Sequence, residues 1–593
     1  MAMDTGTKKY YQQRRDFFSE MKNKYRSRLS LLGILRLVLF VIFVWLLVMA
    51  IRNRFQDLSI WISLGLLTGF LLAVLVADHL KKKMRIWEQL LFINENELQI
   101  EKGGHSLLDN GASFFGQRGF TNDLSVFGNH SLFHLLNRTG SISGKQSLGT
   151  LLMHPLLVQD QIFAKQTAVQ ELSTKTDFGQ ALLAHTLLLN EGDSLNQLRS
   201  GIDEGSELLN SRFWSGMAIA WPVMGVLLVI QAVWSGNYRI LLLFGILGFL
   251  ILSLINKKQN PIYRHISKRS YLFGQYAVCF RLIAEQSFTD PFLIKQKEQV
   301  EEASRSFRKL ARLVDWYDLR LNMLSFFLNP LFLSDLLCAR AYLKWQNKYQ
   351  SQIGKWFASL GEMESLFSLA VFHNNHPHFI FPRFTNTEMI IRAKDMGHPL
   401  MKSGTAVLND IFLGDPEQLY LITGSNMSGK STYLRTLGLN MLLAQIGAPV
   451  YAKEFTCCPL RILTSFHHID SLEDSTSYFY AELTCLKNII DALPEPVPAL
   501  VLLDEVMRGT NSRDKQVGTA LLIRKLLQQQ CLVCIATHDT ELGILADSYP
   551  GAIANFCFES ELTESGLHFD FTKRKGVAQS RNATYLMQQM GII

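Results

Sequence analysis

Four long apolar runs divide the chain. Residues 31–51 carry one charge, Arg36, and 59–77 and 213–234 carry none; the uncharged run 240–255 is shorter and is extended by Tyr238 and Asn256. A helix crossing a bilayer needs about 20 apolar residues. The pattern therefore predicts two transmembrane hairpins, four spans in all. Lys8, Lys9, Arg14, Arg15, Lys22, Lys24, Arg26 and Arg28 precede the first run. Lys81, Lys82, Lys83 and Arg85 follow the second, and Lys257, Lys258, Arg264, Lys268 and Arg269 follow the fourth. The links 52–58 and 235–239 carry few positive charges. By the positive-inside rule both hairpins enter and leave from the cytoplasm, with both termini on that side. Trp214 and Trp234 suit interfacial positions, whereas Trp221 falls inside the span. A pair of buried core helices is the alternative for the second hairpin. The first apolar run starts too late for a signal peptide, and no small-residue cleavage site follows it.

Between and after the hairpins the period is helical. Residues 131–172 read as helices broken at Pro155, and 299–350 as helices rich in aromatic and basic residues. Within 304–313, Arg305, Arg308, Lys309 and Arg312 suit a solvated helix face or a nucleic-acid contact. Beyond 356 the pattern changes. Short apolar runs at 420–423, 499–503 and 532–536 read as buried strands, each ending in polar residues.

Composition agrees with this division. A chain of 593 residues is too long for one core. Its 48% hydrophobic and 19% charged residues average a membrane-like early region with a soluble-like later one. The net charge of +8 suits nucleic acid or an anionic membrane face without choosing between them. Eight cysteines form no even framework. Cys531 and Cys534 lie inside an apolar strand with no second ligand pair, and Cys457–Cys458 also lacks partners. A reducing compartment fits this usage.

The chemistry lies where the first of these strands ends. Gly424, Ser425, Asn426, Met427, Ser428, Gly429, Lys430 and Ser431 form G-x-x-x-x-G-K-S, and a helical run begins at Thr432. That is the strand–loop–helix context in which backbone N–H groups wrap phosphate oxygens at a helix N-terminus. Lys430 is placed to reach the β- and γ-phosphates and Ser431 to hold Mg2+, so ATP and Mg2+ are the expected ligands. Asp504, closing the run 499–504, is expected to orient the magnesium, and Glu505 to position the attacking water. His538, at the tip of the third strand, is the candidate γ-phosphate sensor. A plain glycine turn and a loop-capping histidine are the structural alternatives.

These pieces together resemble the ATPase of the MutS DNA mismatch-repair family. The loop with its Asn426-Met427 centre, Arg508-Gly509-Thr510 after the acidic pair, and Ala536-Thr537-His538 followed by Glu541-Leu542 are similar to that family's motifs. So are Gly397-His398-Pro399, Asn409-Asp410, Ser477 followed by Glu482, and the closing run 582–591. Upstream, Arg138-Thr139, Pro155-Leu156 and Ala168-Val169 with Glu171-Leu172 resemble the start of its helical core. The resemblance covers 356–593 strongly and 129–350 partially, and it does not cover the hairpins. It implies a homodimer in which the partner's Ser477 covers the γ-phosphate. It also implies an aromatic stack on adenine; Ala406 stands where the family has its aromatic residue, and Phe571 is the candidate from the other side. The family's mismatch-recognition domain has no counterpart, because the one Phe-x-Glu match, Phe18-Ser19-Glu20, immediately precedes a span.

The expected architecture is an α/β P-loop ATPase domain of ABC type, MutS-like, with an all-α core/lever domain and two transmembrane helical hairpins. The expected order begins with a basic N-terminus (1–30), hairpin 1 (31–78) and a first stretch of helical core (79–212). Hairpin 2 (213–256), a second core/lever stretch (257–355) and the ATPase domain (356–593) follow. The expected function is an ATP-hydrolysing dimeric switch in the cytoplasmic (inner) membrane, with its ATPase domain cytoplasmic and associated with DNA. The alternative is a membrane mechanochemical or scaffold ATPase acting on a protein partner without DNA.

Overall fold

The computed structural model describes residues 5–52, 59–116, 119–189, 211–318, 323–401, 404–466, 478–507, 511–563 and 566–579. They divide into two compact units. One comprises Met1–Arg138, Leu148–Thr176 and Leu366–Ile593, the other Thr139–Ser147 and Asp177–Ser365.

The first unit opens with two long helices, Thr5–Arg52 and Ser59–Glu101. Each joins an apolar stretch to a charged one without a break. They pair antiparallel: Lys8 bridges to Glu101 at 2.9 Å and Lys22 to Glu88 at 3.8 Å, Phe18 packs on Trp87, and Phe40 packs on Phe70. The basic residues before the first apolar run are thus helical. Through the apolar stretch Ala73 and Ala77 are buried, while Leu31, Leu37, Val41, Trp45, Trp61, Leu72 and Leu75 face outward. Among the described residues three helices are long and apolar enough to cross a membrane: Gly6–Met49, Trp61–Glu101 and Arg212–Ser235. The apolar helix Arg239–Ile255 is shorter.

A buried polar junction ties this helix pair to the rest of its unit. Arg138 makes a two-pronged ion pair with Glu97, both nearly inaccessible. Asn375 donates to Glu97 at 2.8 Å, and the Tyr11 hydroxyl donates to Asn375 at 3.0 Å. Removing one partner of such a pair strands a buried charge, which costs about 3–5 kcal/mol. Arg138→Ala should therefore lower the thermal midpoint of the solubilised protein clearly, as read by scanning fluorimetry. An unchanged midpoint would mean that the junction contributes nothing to stability.

The rest of this unit is built on two sheets. Their strands are β1 (Arg383–Phe384), β2 (Ile391–Met396), β3 (Asn409–Leu413), β4 (Leu419–Gly424), β5 (Glu454–Cys457), β6 (Arg461–Ser465), β7 (Ala499–Asp504), β8 (Cys531–Thr537), β9 (Ile553–Thr563) and β10 (Gly566–Lys575). One sheet has the order β1-β5-β2-β3, the other β10-β9-β4-β8-β7-β6. In the larger sheet β9, β4, β8, β7 and β6 run parallel, and β10 returns antiparallel to β9. β4, β7 and β8 are buried at every position, as an apolar run covered on both faces requires. Cys531 and Cys534 are free thiols within β8, and burial pushes both up to about 12.

The second unit is helical around an aromatic core that includes Phe273, Tyr276, Phe280, Phe307 and Phe357. The Pro291–Asp318 helix buries Phe307, Leu310 and Ala311, while Arg305, Arg308, Lys309 and Arg312 are exposed on its solvent face. Glu364, wholly buried, accepts from the Gly140 N–H at 2.7 Å and the Ser141 N–H at 3.2 Å, and so caps the helix beginning at Ile142. Burial holds its carboxyl above the ordinary carboxylate range. The helices Arg212–Ser235 and Arg239–Ile266 do not pack alone, because the helix Met323–Phe332 lies against them. Gly225 and Gly248 permit this: a Cβ at either would collide with the carbonyls of Leu331 and Pro330. Trp221 stacks on Phe244 with ring centroids 4.1 Å apart, and its indole N–H donates to the Pro330 carbonyl at 2.9 Å. An indole N–H in apolar surroundings needs such a partner.

Candidate functional site

The site forms where β4 stops. Gly424 has φ 155°, a backbone conformation that side chains rarely adopt, and a Cβ there would meet the Phe558 carbonyl at 2.6 Å. Gly429, at φ 109°, starts the helix Lys430–Gln445 in a conformation that disfavours side chains. Between them Asn426 is exposed, and Met427 stands out from the loop at 83% exposure. Ser431 and Thr432 follow in the first helical turn, half-buried.

Lys430 is buried, and its ammonium donates to the Gly424 carbonyl at 2.7 Å and the Ser425 carbonyl at 2.8 Å. The His538 imidazole joins it from the end of β8. His538 Nδ1 lies 2.8 Å from the same Gly424 carbonyl and 3.4 Å from Lys430 Nζ. On its other side His538 Nε2 contacts the Glu505 carboxylate. Burial and the Lys430 charge hold His538 below its ordinary value, and Glu505 pulls the other way. The register of the parallel sheet brings these groups together. Asp504 in β7 lies beside Ala536 in β8, and the Glu505 N–H donates to the Ala536 carbonyl at 2.9 Å. Lys430, Glu505 and His538, far apart in sequence, thus form one cluster at the carboxyl ends of β4, β7 and β8. Such edges are where open α/β sheets bind ligands.

Asp504 Oδ2 and Ser428 Oγ are buried here without a hydrogen-bond partner among the described residues. A buried carboxylate oxygen without a donor is a place for a cation or its bound water. Asp504, at the strand tip, and the Ser431 hydroxyl both carry oxygen donors, the ligand type that Mg2+ prefers.

Phe571 belongs to a bulge in β10, between Phe569 and Lys573. It takes φ 55°, stacks on Phe569 and is 43% exposed. Its ring lies against the loop, since a Cβ on Gly429 would meet Phe571 Cδ1 at 3.1 Å. Asn409 holds the bulge: its side chain donates to the Phe571 carbonyl at 3.1 Å and accepts from the Lys573 N–H at 2.7 Å. The sequence marks Asn409 and Phe571 separately but does not reveal that one positions the other. Lys573 is also unforeseen. Its ammonium lies 4.3 Å from the Phe556 ring centre and 5.0 Å from that of Tyr420, and burial lowers it to about 8. Glu482, which the sequence marks only as part of the motif that begins at Ser477, is buried, and the Met507 N–H donates to its carboxylate. Ser477, Arg508-Gly509-Thr510 and the closing run 582–591 lie outside the described residues.

Comparison with known proteins bears on this site directly. Residues 420–591 match the family model of MutS domain V. The DNA mismatch repair protein MutS of Thermosipho melanesiensis is 32% identical over 239 residues, covering 39% of this chain and 28% of that protein. Its namesake from Thermotoga neapolitana is 35% identical over 204 residues, covering 34% and 24% respectively. The MutS of Natronomonas pharaonis is 34% identical over 200 residues, covering 33% and 23%. The chain thus spans about a quarter of the length of the curated relatives it matches. Its glycine loop, acidic strand tip and histidine-bearing strand all fall inside the matched region, so the similarity to MutS domain V takes in the whole of this cluster.

Proposed function

We propose that this chain is a membrane-anchored, MutS-like P-loop ATPase, a dimeric switch that acts in association with DNA. The convergence of Lys430, Glu505 and His538 on the Gly424 turn carries the reading. ATP is the substrate. The N–H groups of 424–429 and the N-terminus of the Lys430–Gln445 helix bind its phosphates, and Lys430 exchanges its carbonyl partners for phosphate oxygens. Ser431 and Asp504 would hold Mg2+, which supplies charge neutralisation on those oxygens. Glu505 orients a water for in-line attack. The water oxygen bonds to the γ-phosphorus as the bond to the β-phosphate oxygen breaks, giving ADP and phosphate. His538, held between Lys430 and Glu505, presents its imidazole to the γ-phosphate. Phe571 offers a ring face to adenine beside the loop. Ser477 of a second copy completes the site in a homodimer.

The outward apolar faces of the hairpin helices support a lipid bilayer as partner, because exposed apolar area of that extent marks a membrane or protein contact. Four spans are proposed, with Arg239–Ile255 the shortest, and the ATPase domain on the cytoplasmic side. The exposed Arg305, Arg308, Lys309 and Arg312 supply the DNA-facing charge. Binding is electrostatic, without a mismatch wedge: Phe18 is buried against Trp87 within a helix and is not free to insert into a duplex. The mechanochemical alternative is favoured by the buried junction of Tyr11, Glu97, Arg138 and Asn375, which fixes the hairpin to its unit.

Duplex binding by the detergent-solubilised protein separates the two readings. Neutralising about four phosphates predicts a roughly hundredfold loss of affinity between 50 and 200 mM salt. It also predicts less than about tenfold preference for a G·T mispair. Absence of duplex binding at low salt would leave the alternative.

A further inference from the structure

We infer that Glu482 positions the water-orienting carboxylate: by holding the Met507 amide it fixes the turn that carries Glu505. The inference rests on the ATPase reading of the site. β7 ends at Asp504, and the chain then turns with Glu505 at φ 54° and Met507 at φ 63°. Two left-handed residues within three, neither of them glycine, cost free energy and persist only where their surroundings over-determine them.

The restraints can be named. The Glu505 N–H is held by the Ala536 carbonyl of β8. Val506 is buried in the same apolar cluster as Leu486 and Ile489, which lie on the helix Tyr478–Ala492. The Met507 side chain covers Gly518, where a Cβ would meet its Sδ at 2.6 Å. The Met507 N–H is held by Glu482 Oε1, from the same helix as Leu486. Glu482 is 4% exposed. A buried carboxylate that accepts an amide hydrogen makes a charge-assisted bond, stronger than the carbonyl bonds around it. It clamps the far end of the turn while Ala536 clamps the near end. Glu505, between the two clamps, is thereby aimed at His538. Glu482 acts on the reacting groups through this turn, so it is a positioning residue.

The test uses the full chain in detergent. Glu482→Ala removes the acceptor, Glu482→Gln keeps an amide oxygen at the same reach, and Glu482→Asp withdraws the carboxylate by one methylene. Losing a charge-assisted bond that holds a reacting group should lower kcat about tenfold or more in the alanine and aspartate variants. KM for ATP and nucleotide affinity should stay within about twofold, and glutamine should restore most of the rate. In a Glu505→Gln background, Glu482→Ala should cost nothing further, because there is no carboxylate left to aim. An equal loss in both backgrounds, failure of glutamine to rescue, or a parallel loss of nucleotide affinity would overturn the inference. Should the alanine variant not fold, the aspartate and glutamine variants decide by the same criteria. Failure of the ATPase reading looks different: the unsubstituted chain itself would turn over ATP no faster than a Lys430→Ala preparation.

Discussion

Lys430→Ala should abolish ATP turnover. Lys430 is the only cationic side chain in the loop, and it is already buried against two loop carbonyls. In a site this dry a single charge is worth far more than at the surface. Removing one preorganised donor from developing phosphate charge costs about 10²–10³ in rate, and losing a full charge should sit at or above the top of that range. Affinity should fall as well, because the same ammonium neutralises the bound phosphates. Phosphate release by the two proteins, purified in parallel, measures the first effect, and a fluorescent nucleotide titration measures the second. Turnover within a few-fold of the unsubstituted protein would remove the basis for placing phosphates here.

Glu505→Ala separates binding from chemistry. It leaves the loop, Lys430 and Asp504 in place, so ATP should still bind. The residue proposed to orient the water is gone, and loss of such a group lowers rates by about 10²–10⁴. The variant should accumulate with intact ATP, visible as unhydrolysed nucleotide after rapid gel filtration. His538 loses its contact with the carboxylate in this variant, while its Nδ1 partner, the Gly424 carbonyl, remains. A variant that no longer binds ATP would instead make Glu505 a structural or cation-holding residue.

The two variants test the portion of the site that is legible in the amino-acid order. Gly424 to Ser431 is legible because the spacing is local and a strand and a helix flank it. β7 and β8 are legible because strands buried on both faces appear as unbroken apolar runs. Asn409 and Phe571 pair across 162 positions, and Glu482 reaches Met507 across 25. Nothing periodic links such residues, so their partnership exists only in three dimensions. The same holds for Gly225 and Gly248. Within an apolar run a glycine looks like any small residue, yet here each admits the carbonyl of a third helix. In the sequence Trp221 reads as an indole inside a span, and only the fold supplies its acceptor at Pro330. Arg138 stands out within a motif, but its partner Glu97 lies on the charged end of the helix Ser59–Glu101, which that motif does not cover.

The unbroken course of the helix Thr5–Arg52 fixes a distance. From Tyr11, whose hydroxyl enters the buried junction, to the start of the long apolar run at 31 is about 30 Å at the rise of an α-helix. The Debye length at physiological salt is about 8 Å. If residue 31 marks the bilayer surface, the junction stands several screening lengths away from it. Lipid headgroup charge is then almost fully damped where Arg138 meets Glu97. A bilayer so placed would act on that junction by tilting, bending or drawing apart the paired helices, but hardly through its surface potential.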